Sequence, residues 1–343
     1  MKKRGLFLNS AFTFLILFIA LFLIETASAT ISCDSGDQAT TCTISAPKEY
    51  GNGDIFDAKN LIIASGGSIY NSSLNVSKNH GAWLLINLTG NLTISSGANI
   101  TGGNITIKSL NNITILPGGK IITSELGFNA SALAFSAHGL GSGKGIGSSE
   151  NIGAGGAGHG GAGGTAVRKQ FTGGLSYGNH THPVDFGSSG GNGNLGRGGK
   201  GGGIIKLNAT LILNEGQILA NGQAGGTATN NGGGGGSGGS ILLIADTISG
   251  AGNITSSGGT GGSNGASLGG GGSGGRIAIH TTTYSLTGQL SAFGGSSTGD
   301  AEIGAPGTIY KNVNSQTYGD LIISNNNVIP GERSKSNTRE IGA

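Results

Sequence analysis

Apolar residues recur along this chain in short alternating runs bounded by glycine, and three of these runs are copies of one another. The segment GGIIKLNATLILNEGQILANG from Gly202 returns as GGSILLIADTISGAGNITSSG from Gly238 and as GGRIAIHTTTYSLTGQLSAFG from Gly274, a spacing of 36 residues each time. Ile205, Ile241 and Ile277 share one column of the alignment, and Leu207, Leu243 and Ile279 share a second. Ile218, Ile254 and Leu290 form a third, and Gly216, Gly252 and Gly288 a fourth. Alternation with a period of two predicts strands, not helices. The remainder of each unit, such as GQAGGTATNNGGGGGSGG, has no large apolar side chain to bury and is expected to be an arc or loop.

A shorter form of the template lies upstream. GGNITIKSLNNITILPGGKI (Gly102 to Ile121) follows the same order of apolar and glycine positions, and NLTISSGANIT from Asn91 stands 21 residues before NITILPGGKIIT from Asn112. NLIIASGGSIY from Asn60 is a third relative. The basic coil is therefore about 21 residues, and the later units read as that coil plus a 15-residue Gly-rich excursion. Rungs of short strands with Gly, Pro or Asn corners predict an all-β fold, a right-handed parallel β-helix (solenoid) with Gly-rich arcs. The fixed period favours it over a β-sandwich. Leu92, Ile94, Ile105, Ile107, Ile113 and Ile115 are expected to stack inward, with Thr93, Thr106 and Thr114 pointing out. For the Gly-rich stretch from Gly139 to Gly203, composition leaves two outcomes: mobile loops, or backbones packed so closely that only glycine fits, as in polyglycine helices.

These readings divide the chain into a signal segment (1–29, with a signal helix), an N-terminal cap (30–58), β-helix coils (59–135), a Gly-rich excursion (136–201), three 36-residue repeats (202–310), and a last strand with a polar tail (311–343). The signal reading rests on Lys2, Lys3 and Arg4, the apolar stretch Ala11 to Ile24, and Ala27-Ser28-Ala29 as a cleavage site, so that the mature chain begins at Thr30. The alternative is an uncleaved span from Leu6 to Ile24. No later stretch is long and apolar enough to span a membrane as a helix, so no mature transmembrane span is expected. Cys33 and Cys42, the only two cysteines, are expected to close a local disulfide, worth somewhat under about 3 kcal/mol in the chain-entropy model. It would staple an end cap over an otherwise unpaired strand edge. The C-terminal end shows no comparable cap in sequence.

Charge narrows the function. The net charge is +3 with only 10% of residues charged, and removal of the signal brings it closer to neutral, so nucleic acid is not expected as a partner. The succession GAGHGGAGG (from Gly156), YGNHTHPVDFGSSGGNG (from Tyr177), GGGGGSGGSI (from Gly232), GGGGSGGRIAI (from Gly269), GAPGTIY (from Gly304) and YGDLIISNN (from Tyr318) resembles a group of Gly-rich exported surface proteins of uncultivated archaea and bacteria, with similar tracts in plant membrane proteins. The resemblance runs from about Cys33 to Asn326. It implies a large cell-surface or secreted protein without assigned catalysis, and it transfers no functional residue. Longer members of that group continue into further extracellular modules, which makes this chain read as a truncated one.

Site-level signals are few. Eleven N-x-S/T sequons begin at Asn71, Asn75, Asn87, Asn91, Asn99, Asn104, Asn112, Asn129, Asn179, Asn208 and Asn253, and they point either to a glycosylated face or to Asn that bonds its own corners and stacks in ladders. His180-x-His182 is the only metal-like spacing, too short of ligands to make a site, and His159 and His280 read as structural. GLGSGKGIGSS from Gly139 fails the phosphate-loop spacing because Gly145 follows Lys144, and the glycine tracts lack the periodic Asp of calcium repeats. The acids are scattered, with Asp54/Asp57 and Asp300/Glu302 as the close pairs, both expected in turns. No cofactor and no catalysis are expected. The sequence reads as an exported structural or adhesin-like surface protein whose partners are cell-surface glycans or other surface proteins. A polysaccharide-active β-helix enzyme and a flat module binding carbohydrate, ice or mineral are the alternatives, and the oligomeric state is left open. N-terminal sequencing of the exported protein is expected to read Thr30-Ile31-Ser32; a start at Met1 would establish the uncleaved span instead.

Overall fold

The computed structural model describes residues 31–71, 74–75, 80–130, 134, 136–148, 152–167, 171–228, 231–264 and 267–327. The expected signal helix and the cleavage pair Ala29 and Thr30 lie outside them. The described chain is all-β. After β1 (Ser35–Gly36) it repeats a three-strand turn: β2 (Thr41–Ile44), β3 (Pro47–Glu49) and β4 (Asp54–Ala58) make the first. The second is β5 (Asn60–Ile63), β6 (Ser68–Tyr70) and, beyond a hairpin of β7 (Leu74–Asn75) and β8 (His80–Gly81), β9 (Trp83–Leu88). The third is β10 (Leu92–Ile94), β11 (Asn99–Thr101) and β12 (Asn104–Ser109), and β13 (Asn112–Ile115) and β14 (Lys120–Ile122) open the fourth.

From there on, the last strand of one turn and the first of the next run together as one eleven-residue strand. β15 (Ile204–Asn214) pairs with β12 through its first half and with β13 through its second. It is followed by β16 (Gln217–Leu219), the hairpin β17 (Thr227–Ala228) and β18 (Asn231–Gly232), β19 (Ser240–Gly250) and β20 (Asn253–Thr255). A second hairpin, β21 (Ser263–Asn264) and β22 (Ser267–Leu268), precedes β23 (Arg276–Leu286), β24 (Leu290–Ser291), β25 (Thr308–Val313) and β26 (Asp320–Ile322). Among the described residues, one parallel sheet of seven strands runs β3-β6-β11-β14-β16-β20-β24, and a thirteen-stranded sheet holds the other two strands of every turn. Parallel pairing begins at Thr41. The arrangement is β-helix-like.

Registers follow the sequence columns. Ile205, Ile241 and Ile277 are ladder partners, as are Leu207, Leu243 and Ile279, and Ile218, Ile254 and Leu290. Leu92 pairs with Ile113 at the 21-residue interval, whereas Leu61 precedes Leu92 by 31 because the β7–β8 hairpin is inserted. Inward Ile and Leu of successive turns stack into one core in which Leu61, Leu92, Ile113, Ile212 and Ile248 have no exposed surface. Each such side chain contributes roughly 1.5–3 kcal/mol by leaving water. The glycine column is steric: a Cβ on Gly216, Gly252 or Gly288 would lie 2.2, 2.4 or 2.0 Å from a carbonyl oxygen of the turn below.

Two differences from the sequence reading have physical causes. The Gly-rich insert is eighteen residues, since Ile218 to Ile241 spans 23 positions where Ile100 to Ile105 spans 5, and tighter corners elsewhere in each unit bring the net length to 15. Thr93, Thr106 and Thr114 point outward as expected, with Thr106 on the third strand of its turn, between Leu85 and Lys206. The C-terminal edge of the thirteen-stranded sheet is covered at β25, because β26 folds back antiparallel on it, pairing Tyr310 with Leu321. At the other end, β1 lies antiparallel on β2, and the Cys33–Cys42 disulfide ties it down. Asp34 anchors the same cap. It is ion-paired with Lys48 and accepts the amides of Ser45 (2.8 Å) and Ala46 (2.9 Å), which together hold its carboxyl down at about 2.

The glycine tracts 232–239 and 269–275 are packed and buried. Amides of Gly233, Gly236 and Gly239 donate to carbonyls of Gly226, Gln223 and Ala220. Those of Gly234 and Ser237 go to Gly191 and Ser188, and those of Gly235 and Gly238 to Gly270 and Ser273. Three consecutive residues thus serve three different neighbours and the fourth returns to the first, which is the threefold symmetry of a polyproline-II-type segment without internal hydrogen bonds. The tract Gly269–Gly275 repeats the scheme toward Gly262, Ala154 and Glu302. Segments from separate turns therefore form one bundle in which many positions admit only glycine: a Cβ on Gly234, Gly235 or Gly236 would lie 1.9–2.1 Å from a neighbouring carbonyl oxygen. Gly235→Ala is expected to lower stability by about 2 kcal/mol or more, read from denaturant unfolding. Gly193→Ala, whose new methyl would stand 3.1 Å from Gly232 O, is expected to cost less.

Candidate functional site

The strands that close each turn present outward side chains in ladders. One ladder runs Asp57, Asn87, Lys108, Asn208, Ile244, His280, Asn312, one residue per turn. Over the early turns this face is open. Ile55 (56% exposed) and Trp83 (40%) form an apolar ridge on it, and beside the ladder lies a groove of about 800 Å³. Asp57, Lys59, Asn87, Lys108, Leu110 and Asn208 line the groove, with Gln38 at its end. The Asn87 amide donates to Asp57 Oδ1 at 2.9 Å. A second open groove of about 490 Å³ shares Asn208 and continues past Asp246 and His280 to Asn312 and Gln316.

Over the later turns the same face is roofed by the segment 177–186, and Leu242 and Ala278 are buried beneath it. Three bonds hold the roof: Arg276 Nε donates to Tyr177 O (2.9 Å), Ser240 Oγ to Asp185 O (2.6 Å), and His280 Nε2 to Thr181 O (2.7 Å). His180-x-His182 sits on this roof. The fold brings His280 to it across about a hundred residues of sequence, with His182 and His280 rings 4.6 Å apart and Tyr310 beside both His180 and His280. His280 Nε2 faces a carbonyl, His180 meets Tyr310 edge to face, and His182 and His280 lie tilted against one another. Among the described residues no group of three or more His, Cys, Asp or Glu is placed to hold a metal ion.

Beneath the roof, where it meets the glycine bundle, His159 is fully buried. Its Nδ1 donates to Gly238 O (2.8 Å), its ring lies 4.7 Å from that of Tyr177, and Nε2 has no hydrogen-bond partner. Burial, and then the Arg276 guanidinium, hold its pKa down at about 3 against the Gly238 bond. Burial likewise pushes the Tyr177 hydroxyl up, against the hydrogen bond that it accepts from Ser188 Oγ (2.9 Å).

The acidic pairs do not converge. Asp54 is buried and accepts the amide of Gly51 (2.6 Å), whereas Asp57 lies inside strand β4 with its side chain outward, so the expectation that both sit in a turn holds for neither as stated. Asp300 is in a turn, but Glu302 is buried in the glycine bundle and accepts the amide of Thr165 (3.2 Å).

The sequons separate by environment. Asn71 and Asn129 are buried, and the Asn71 amide donates to Tyr50 O. Asn91 and Asn112 belong to a ladder with Asn60: Asn60 Oδ1 accepts the Asn91 amide N–H (2.9 Å), and Asn91 Oδ1 accepts that of Asn112 (3.2 Å). Asn253 accepts the backbone N–H of Gln289 (2.9 Å). Asn87, Asn99 and Asn104 are half-buried strand residues, and Asn75 lies in β7. Asn179 and Asn208 are exposed, and Asn179 Oδ1 accepts the N–H of Thr181 and of His182, which leaves its amide outermost.

Sequence reasoning missed the groove and the His159–Arg276 contact. The signal for the first was the 21-residue register, which the β7–β8 insertion interrupts between Asp57 and Asn87. The second had no local signal, since Arg276 lies 117 residues from His159. Comparison with protein-family models, curated proteins and solved structures gives no match for the chain.

His159 makes stability pH-dependent. It stays neutral in the fold to about pH 3, whereas the unfolded chain protonates it below about 6.5. Its contribution is complete above about pH 6.5 and is lost as pH falls toward 3, with a slope of up to about 1.4 kcal/mol per pH unit. The Asp34 contribution is lost only below its ordinary value of 3.8, so it does not enter above about pH 4. Urea unfolding between pH 7 and 4 is expected to show this slope in the wild type, and His159→Gln is expected to flatten it.

Proposed function

We propose that this chain is an exported structural or adhesin-like surface protein of the Gly-rich group it resembles, and that it acts by shape and repeated surface and not by catalysis. Its body is read as a right-handed parallel β-helix, a solenoid that stacks one turn on the next, delivered by the signal segment and held at the cell surface or released. The partners are cell-surface glycans or other surface proteins.

The observation that carries the reading is the outward ladder. Parallel pairing repeats one polar side chain per turn at the strand spacing of about 4.8 Å, as in Thr41, Asn60, Asn91 and Asn112 on one face and Asp57, Asn87, Lys108 and Asn208 on another. Such rows suit contact with an extended partner. Carboxylates, by contrast, do not gather: Asp54, Asp57 and Glu302 bond to Gly51, Asn87 and Thr165 respectively, where acid and base work needs two converging on one bond.

Labelled protein applied to cells and to immobilised glycans tests the reading. Binding is expected to persist when Asp57, Asp185 or Asp246 is replaced singly by Asn. Release of new reducing ends or unsaturated products from a polysaccharide, abolished by one such substitution, would establish the enzyme instead.

A further inference from the structure

The groove on the early turns carries side chains that specify an occupant. Lys59 and Lys108 face it with no ion pair among the described residues, where the single ion pair is that of Asp34 with Lys48. Asn208 faces it with its side chain equally unengaged. The one carboxylate present, Asp57, already holds the Asn87 amide. The groove therefore has an excess of cationic donors in a chain of which only 10% is charged. Two ammonium groups two turns apart attract carboxylates spaced along a chain. Asn87, between the lysines, and Asn208, one turn beyond Lys108, offer amides for hydroxyls, and Leu110, 69% exposed, gives an apolar ledge of the kind a sugar ring's CH face covers.

The spacing suits a polymer. Asp57, Asn87, Lys108 and Asn208 sit one per turn, so a polar side chain meets the groove about every 4.8 Å, a pitch that serves a linear chain lying across the strands. We propose that the groove binds a linear acidic polysaccharide built of uronic acid units, with Lys59 and Lys108 taking its carboxylates and Asn87 and Asn208 its hydroxyls. The proposal rests on the adhesion reading and names its ligand class and site. Because Asn87 and Asn208 begin sequons, the site requires both to be unmodified.

The test uses the full exported protein, with a mass that shows Asn87 and Asn208 bare. It is titrated with an oligogalacturonate, with a neutral cello-oligosaccharide of equal length, and with poly-glutamate. The oligogalacturonate is expected to bind, more weakly as salt rises, and to bind better than both controls. Lys59→Glu with Lys108→Glu is expected to weaken it about tenfold or more, while Lys120→Glu on the seven-stranded sheet leaves it unchanged. Both groove lysines are exposed, so an unaltered unfolding midpoint is expected; should the pair unfold, the Lys→Gln pair replaces it. Equal binding of the neutral glycan or of poly-glutamate, or unchanged binding by the double variant, would overturn the proposal. If the wild type still adheres to cells in that case, the adhesion reading stands and the groove falls alone; if it binds neither cells nor glycans, both fall.

Discussion

A parallel strand cannot satisfy its backbone within its own turn, so each amide must find a carbonyl one turn away, and that requirement organises the whole molecule. It sets the register that brings Leu61, Leu92, Ile113 and Ile212 into one buried column. The same register places Asp57, Asn87 and Lys108 side by side on the outside. Core and surface are consequences of one hydrogen-bond ladder. Where the ladder would end, the chain folds back antiparallel, with β1 at one end and β26 at the other, which covers edges that would otherwise invite pairing with another chain.

The glycine bundle meets the same requirement by other means. A tract such as Gly232–Gly236 has no side chains to bury, and ordering each glycine costs roughly 0.5–1 kcal/mol more than ordering alanine. What offsets that cost is the density of hydrogen bonds a bare backbone allows, each worth about 1 kcal/mol net. Because successive amides point in three directions, a segment needs several neighbours at once, and these come from excursions that leave different turns. No single excursion is self-sufficient, and the bundle couples turns that the β-ladder alone would join only in sequence.

Where the bundle and the sheets meet, polar side chains do the joining. Arg276 reaches Tyr177 O, His159 O and Thr308 Oγ1, and His159 is kept neutral between them. This contact fixes the roof over the later turns and leaves the early turns open. The open groove beside Lys59 and Lys108 thus owes its exposure to where the excursions begin.

The strand period, the 36-residue repeat, the inward Ile and Leu columns and the local disulfide were legible in sequence, because all depend on spacing along the chain or on cysteines close together. Asn91 and Asn112 could be placed in one column for the same reason, although whether they would carry glycans or bond in a ladder was left open until the ladder was seen. Other features were decided only in three dimensions. Composition could not distinguish a loose glycine loop from a packed one, since the difference lies in neighbours contributed by other turns. Insertions hid the registers linking Asp57 to Asn87 and Lys108 to Asn208, so the groove could not be read from period alone. The meeting of His159 with Arg276, and of His182 with His280, joins residues about a hundred positions apart with no periodic relation. Periodicity specifies what stacks on what, whereas contacts between unlike segments depend on how excursions of unequal length pack, which no local pattern encodes.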